Sequence, residues 1–180
     1  LLVNGLAAFL AAATVGIYLF IYTPLKRVST LCVTVGAVAG ALPPVVGWAG
    51  ATGSLGWGAL ALFGILFLWQ YPHFLSLAFM YKDDYARGGL HMVSHEDRVT
   101  AVSVLFTSAA LTFVSLAPSA LHLTGYLYFA AAAAAGAVMM VFATRFFLAP
   151  SRPPARALFF YSLAYIPILV IFMFVNGVVR

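Results

Sequence analysis

The sequence predicts an all-α, polytopic transmembrane bundle of six helices, and three observations carry that fold class. Hydrophobic residues make up 64% of the 180-residue chain and charged residues only 7%, whereas an ordinary soluble domain carries roughly 25% charged residues. The charges that exist fall between long apolar runs rather than within them. The basic residues also divide unequally between the two expected sides of the membrane.

The elements follow in order. A spanning helix needs about 20 apolar residues at about 1.5 Å each. Residues 1–22 carry no charge and meet that length. The run opens without an initiator Met or a charged leader. A cut before or within an upstream helix is therefore expected, with residues 1–180 forming one transmembrane domain that is N-terminally incomplete. TPLKRVS (23–29) is a short polar break holding Lys26 and Arg27. Residues 28–81 are again uncharged, which is too long for one helix. GATGS (50–54) is the natural break, giving spans near 30–48 and 57–80. An acidic stretch follows, then a span over 99–117 ended by Pro118 and Ser119. Residues 123–144 form the next span, and FFLAPSRPPAR (146–156) separates it from a last span over 157–178.

The basic residues check this count. If the first span ends inside, loops 23–29, 81–98 and 145–156 are all inside. They hold Lys26, Arg27, Lys82, Arg87, Arg98, Arg145, Arg152 and Arg156, while only Arg180 falls on the other side. A missed or extra helix would scramble this positive-inside pattern. The net charge of +5 thus reads as a topology signal, and no nucleic-acid partner is expected. The acidic loop faces the cytoplasm, or the matrix in a mitochondrion. Cys32 is the one cysteine, so no internal disulfide can form.

Small residues mark the spans: Gly36 and Gly40 are spaced as GxxxG, and 130–136 reads AAAAAAG. Such faces let membrane helices approach closely. Pro43, Pro44 and Pro72 sit inside spans, where freed carbonyls need a neighbouring helix or a cavity. A packing kink and the border of a binding chamber both satisfy that need.

All four acids lie in one stretch, YKDDYARGGLHMVSHEDR (81–98). Ser94 with Glu96 and Asp97 reads as the capped start of the next helix. Asp83 and Arg87, four apart, can pair on a helix. Asp83 and Asp84, adjacent at a helix end, can also both reach a hydrated cation, and oxygen ligands favour Mg²⁺ with substrate phosphates. Lys82 and Arg87, with Lys26 and Arg27 on the same side, suit phosphate oxygens. His91 and His95, four apart beside Glu96 and Asp97, offer a second, transition-metal reading without a third ligand. A channel or charge relay is unsupported, because the expected spans hold no Asp, Glu, Lys or Arg. His73, in WQYPHF (69–74), stands at membrane depth, where it either ligates a metal or cofactor or makes a buried hydrogen bond. His122 falls in an outer loop.

With these residues in view, the chain resembles the UbiA superfamily of intramembrane prenyltransferases and, within it, the heme O synthases. The resemblance rests on YTPLKRVST (22–30), GAVAGALPPVVGW (36–48), WQYPHF (69–74) and KDDYARGG (82–89), in the family's order. It implies a nine-helix bundle with a central cavity opening to the cytoplasmic side, this chain supplying helices four to nine. The family's first aspartate-rich motif is not in the chain, so the piece alone is expected to be inactive. Superfamily members often show DxxxD in the second motif. Here Met80 stands four before Asp84, leaving Asp83 and Asp84 to serve. His91 stands where many relatives have Pro. The resemblance further implies transfer of the farnesyl group of farnesyl diphosphate to a vinyl group of heme B (protoheme IX), giving heme O for terminal oxidases. Mg²⁺ would be held by Asp84 with Asp83, the diphosphate by Lys26, Arg27, Lys82 and Arg87, and heme by His73. Implied partners are the inner-membrane bilayer and heme A synthase or oxidase assembly proteins. Two other readings stay open: a quinone-pathway aromatic prenyltransferase, and a non-catalytic heme-binding or transport subunit.

Overall fold

Asn4 begins the first helix by a side-chain cap, its Oδ1 accepting from the Ala7 N–H at 2.9 Å while its Nδ2 donates to the Ala49 carbonyl at 2.8 Å. One residue thus starts a helix and ties it to the end of the next. The computed structural model describes residues 3–90 and 96–178. Six of its helices are long and apolar enough to cross a membrane: α1 (Gly5–Leu25), α2 (Cys32–Thr52), α3 (Trp57–Met80), α5 (Asp97–Ala120), α6 (Tyr126–Leu148) and α7 (Arg152–Val178). A short helix, α4 (Lys82–Arg87), lies between α3 and α5. All six expected spans are present.

The boundaries differ in instructive places. The first helix passes through Thr23 and Pro24 to Leu25, with a π-helical turn at Ile17–Tyr22. The Tyr18 carbonyl there accepts from both the Thr23 N–H and, at 2.8 Å, the Thr23 hydroxyl. Pro43 and Pro44 lie inside a continuous α2, and Pro72 inside α3. Gly53 ends α2 in the left-handed conformation, φ 71°, which glycine adopts without the steric cost of a Cβ. The Asp83–Arg87 pairing is not formed; Arg87 pairs with Asp84 instead. Glu96 takes the N-cap position of α5 with no side-chain cap bond, while Asp97 in the first turn turns its carboxylate to Lys82. Ser94 lies outside the described residues.

Helices α3, α5, α6 and α7 pack as a closed ring, each against the next, and α2 then α1 extend from α3 as an arm. Small residues set the approaches. Gly136 of α6 faces the Thr112 side chain of α5, Gly40 of α2 faces Gln70 of α3, and Gly58 faces Trp48. A Cβ at any of the three would collide with its neighbour. Several polar groups inside the ring are paired across helices, which a lipid-embedded bundle favours, while the buried Ser108 hydroxyl has no partner among the described residues. The Tyr128 hydroxyl donates to the Ser115 carbonyl at 2.9 Å, Ser115 Oγ meets Tyr165 Oη at 2.8 Å, and Tyr161 donates to the Ala135 carbonyl at 2.7 Å. In the arm, Gln70 donates to the Ala37 carbonyl at 3.2 Å.

The charged segments gather at one end of the bundle. Lys82 meets Asp97 at 2.7 Å, Arg98 donates to the Phe147 carbonyl at 3.0 Å, and Arg152 lies 4.0 Å from Asp83. The ends of α3, α4, α5, α6 and α7 are joined there.

Candidate functional site

The charged end carries the acidic motif. Helix α4 has Asp83 and Asp84 in its first turn and Arg87 in its last, each sign on the end the helix dipole favours. Their side chains face outward, 82% exposed for Asp83 and 57% for Asp84. Asp84 holds Arg87 as an ion pair, and Asp83 looks across to Arg152 at the start of α7. Lys82 points the other way, to Asp97. It reaches a phosphate only by sharing or leaving that bond.

Lys26 and Arg27 follow α1. The Lys26 ammonium sits 5.9 Å from the centroid of the Tyr22 ring. Below Tyr22, a cavity of about 510 Å³ opens between α1, α2 and α3, lined among others by Thr14, Tyr18, Gly36, Gly40 and Phe74. Its wall is mostly apolar, and it includes Tyr22, the ring over which Lys26 sits.

His73 stands deeper, on the face of α3 that meets α7. Its ring lies between Trp69 (centroids 4.7 Å, 15° apart) and Phe159 (4.9 Å, 23°). Its Nδ1 is 2.9 Å from Ser162 Oγ. That hydroxyl donates to the Phe159 carbonyl at 2.6 Å. A serine has one proton to give; with that proton on the Phe159 carbonyl, Nδ1 is the donor to Ser162 Oγ and Nε2 is the acceptor nitrogen. Trp69 Nε1 donates to the Ser162 carbonyl at 2.7 Å and fixes the same segment from the other side. Of the two sequence alternatives for His73, the hydrogen bond is present, through Nδ1 to Ser162.

Among the described residues, no three His, Cys, Asp or Glu side chains gather as a metal cage. His91 and His95 lie outside those residues. Three participants escaped sequence reasoning: Ser162, Phe159 and Arg152. Arg152 was readable as a basic residue in the same set of loops as Asp83, but its approach to Asp83 spans 69 positions.

Comparison with known proteins bears on this geometry. Residues 1–164 match the UbiA prenyltransferase family. The chain belongs to that family. Relatives of this UbiA chain include proteins named protoheme IX farnesyltransferase from Koribacter versatilis, 43% identical across 98% of the chain and 60% of the relative, and from Solibacter usitatus, 43% identical across 93% and 58%. The chain therefore spans about three fifths of the length of the curated relatives it matches. A structure of digeranylgeranylglyceryl phosphate synthase superposes with a TM-score of 0.78 at 15% identity, covering 99% of this chain and 64% of that one. The UbiA fold, with six apolar spans, makes the chain part of a multi-pass membrane protein.

Proposed function

We propose that the protein containing this chain transfers the farnesyl group of farnesyl diphosphate to a vinyl group of heme B, giving heme O. The observation that carries this is the 43% identity, along 98% of the chain, to a relative named for farnesylation of protoheme IX. The His73 geometry supports it, because the hydrogen bond at Nδ1 holds the ring and leaves Nε2 as the nitrogen an iron ligand would use.

The diphosphate head is assigned to the charged end. Lys26, Arg27 and Arg87 bind its oxygens and stabilise the charge that develops as it leaves. Asp83 and Asp84 are exposed oxygen donors, which fits Mg²⁺ held by one or two carboxylates and the substrate's phosphates. When bound, the metal supplies Lewis-acid neutralisation of the departing diphosphate. The 510 Å³ cavity below Tyr22 takes the isoprenoid tail, and its apolar wall keeps water from the allylic cation. The allylic C–O bond breaks to release diphosphate, the vinyl π electrons form the new C–C bond, and water adds its hydroxyl to the adjacent carbon with loss of a proton. His73 positions heme through iron. The charged end faces the cytoplasm or matrix by the positive-inside pattern, in the inner membrane, where heme A synthase or an oxidase assembly protein takes up the product.

The test uses membranes bearing the full reading frame that contains this chain, supplied with heme B, farnesyl diphosphate and Mg²⁺. A hydroxyethylfarnesyl heme seen by mass spectrometry, and lost with EDTA, is the expected result. Heme retained but never modified would favour the binding or transport reading. Farnesylation of an aromatic quinone precursor instead would favour the quinone branch.

A further inference from the structure

A second cavity, of about 840 Å³, lies between the end of α3 and the start of α7. Its floor is apolar, with Leu77, Met80 and Phe159, and its rim carries Arg152 and Arg156. The two arginines are one turn apart on one face of α7. This is a costly place for them. They sit at the positive end of the helix dipole, with no acid in the first turn, and like charges at this spacing repel. The nearest carboxylate, Asp83, remains 4.0 Å from Arg152, and Arg156 leans over the Phe160 ring at 5.6 Å. An anionic ligand at the rim relieves both penalties.

We infer that Arg152 and Arg156 clamp the two propionates of heme B, with the macrocycle lying over the apolar floor. The inference rests on the function proposed above. Its geometry is self-consistent. The cavity volume falls within the range of small-molecule sites. Guanidinium groups match carboxylates as paired donors. Phe159 both lines this cavity and stacks on the His73 ring, so one side chain separates the clamp from the imidazole. Propionates and vinyls lie on different halves of protoheme, so anchoring the propionates at the bilayer surface directs the vinyl half inward. The Arg152–Asp83 approach then makes this site share a wall with the diphosphate end.

Heme B and its dimethyl ester, which lacks both negative charges, are titrated by Soret absorbance into the full-length protein in neutral-lipid nanodiscs. Wild type should prefer heme B over the ester by about tenfold or more, the scale of one charge-assisted hydrogen bond. Arg152→Gln with Arg156→Gln should abolish the preference, and Arg→Lys at both sites should restore part of it. Equal wild-type affinity for heme B and ester overturns the clamp while leaving the proposed function standing. Variants that keep the preference overturn it too, and assign the arginines to lipid phosphate or topology. A wild type that binds neither porphyrin overturns the functional reading itself.

Discussion

Ser162→Ala isolates the contact that sets the His73 tautomer. Ser162 is fully buried, its Oγ is 2.9 Å from His73 Nδ1, and the side chain's only proton is directed to the Phe159 carbonyl. The substitution removes one oxygen and leaves the backbone carbonyl that accepts from Trp69 untouched. The imidazole N–H then faces a methyl group. An orphaned buried donor costs about 1–3 kcal/mol. The ring can escape that cost by moving its proton to Nε2, which removes the lone pair from the side meant for iron. Restoring the Nε2 lone pair for iron then brings that cost back, which weakens heme binding by about ten- to a hundredfold, the same free energy expressed as affinity. The assay is a Soret titration of wild type, Ser162→Ala, His73→Ala and the double variant, with thermal unfolding in the same detergent. If Ser162 acts through His73, its substitution adds little once His73 is gone. Wild-type heme affinity and spectrum in Ser162→Ala, or an equal loss in the His73→Ala background, would refute the tautomer argument.

Two further outcomes follow from the geometry. Asp84→Ala should lower the farnesylation rate by about a hundredfold or more, whereas Glu96→Ala, at the N-cap of α5, should change mainly stability; equal rate losses would remove the division between ligand and helix start. Gly136→Val should lower thermal stability by about 1–3 kcal/mol through overpacking against Thr112, and Thr112→Ala should recover part of it; an unshifted melting curve would mean that α5 and α6 separate freely.

The six spans were legible because bilayer thickness acts on short sequence windows: length, absence of charge and the side of each Lys or Arg suffice. The turn at Gly53 was legible for a similar reason, since its glycine need is local. The path of the backbone through Pro24 was not. A proline after a polar-looking Thr23 reads as a break, yet the π turn and the Thr23 hydroxyl absorb it. The candidate site divides the same way. Asp83, Asp84 and Arg87 share one short helix, so their neighbourhood was visible, but their partner choice was not. By spacing Arg87 could take either acid; in the fold it takes Asp84, and Asp83 faces Arg152 of α7. His73 stood out as an ionisable group at membrane depth, whereas Ser162, 89 positions away, is one of many serines until the helices are packed.

The π turn at Ile17–Tyr22 has a consequence for insertions and deletions. Such a turn holds one residue more than an α-helix uses over the same rise, and one residue rotates the flanking helix by about 100°. Tyr22, which packs its ring against Gly36, and Lys26 above it owe their bearing to that extra residue. Many apolar side chains can be exchanged there, because Phe20 and Ile21 point outward. Deleting Phe20 or Ile21 would swing Lys26 about a quarter turn relative to the cavity wall while removing none of the named side chains of the site. In this segment the number of residues carries more information than their identity.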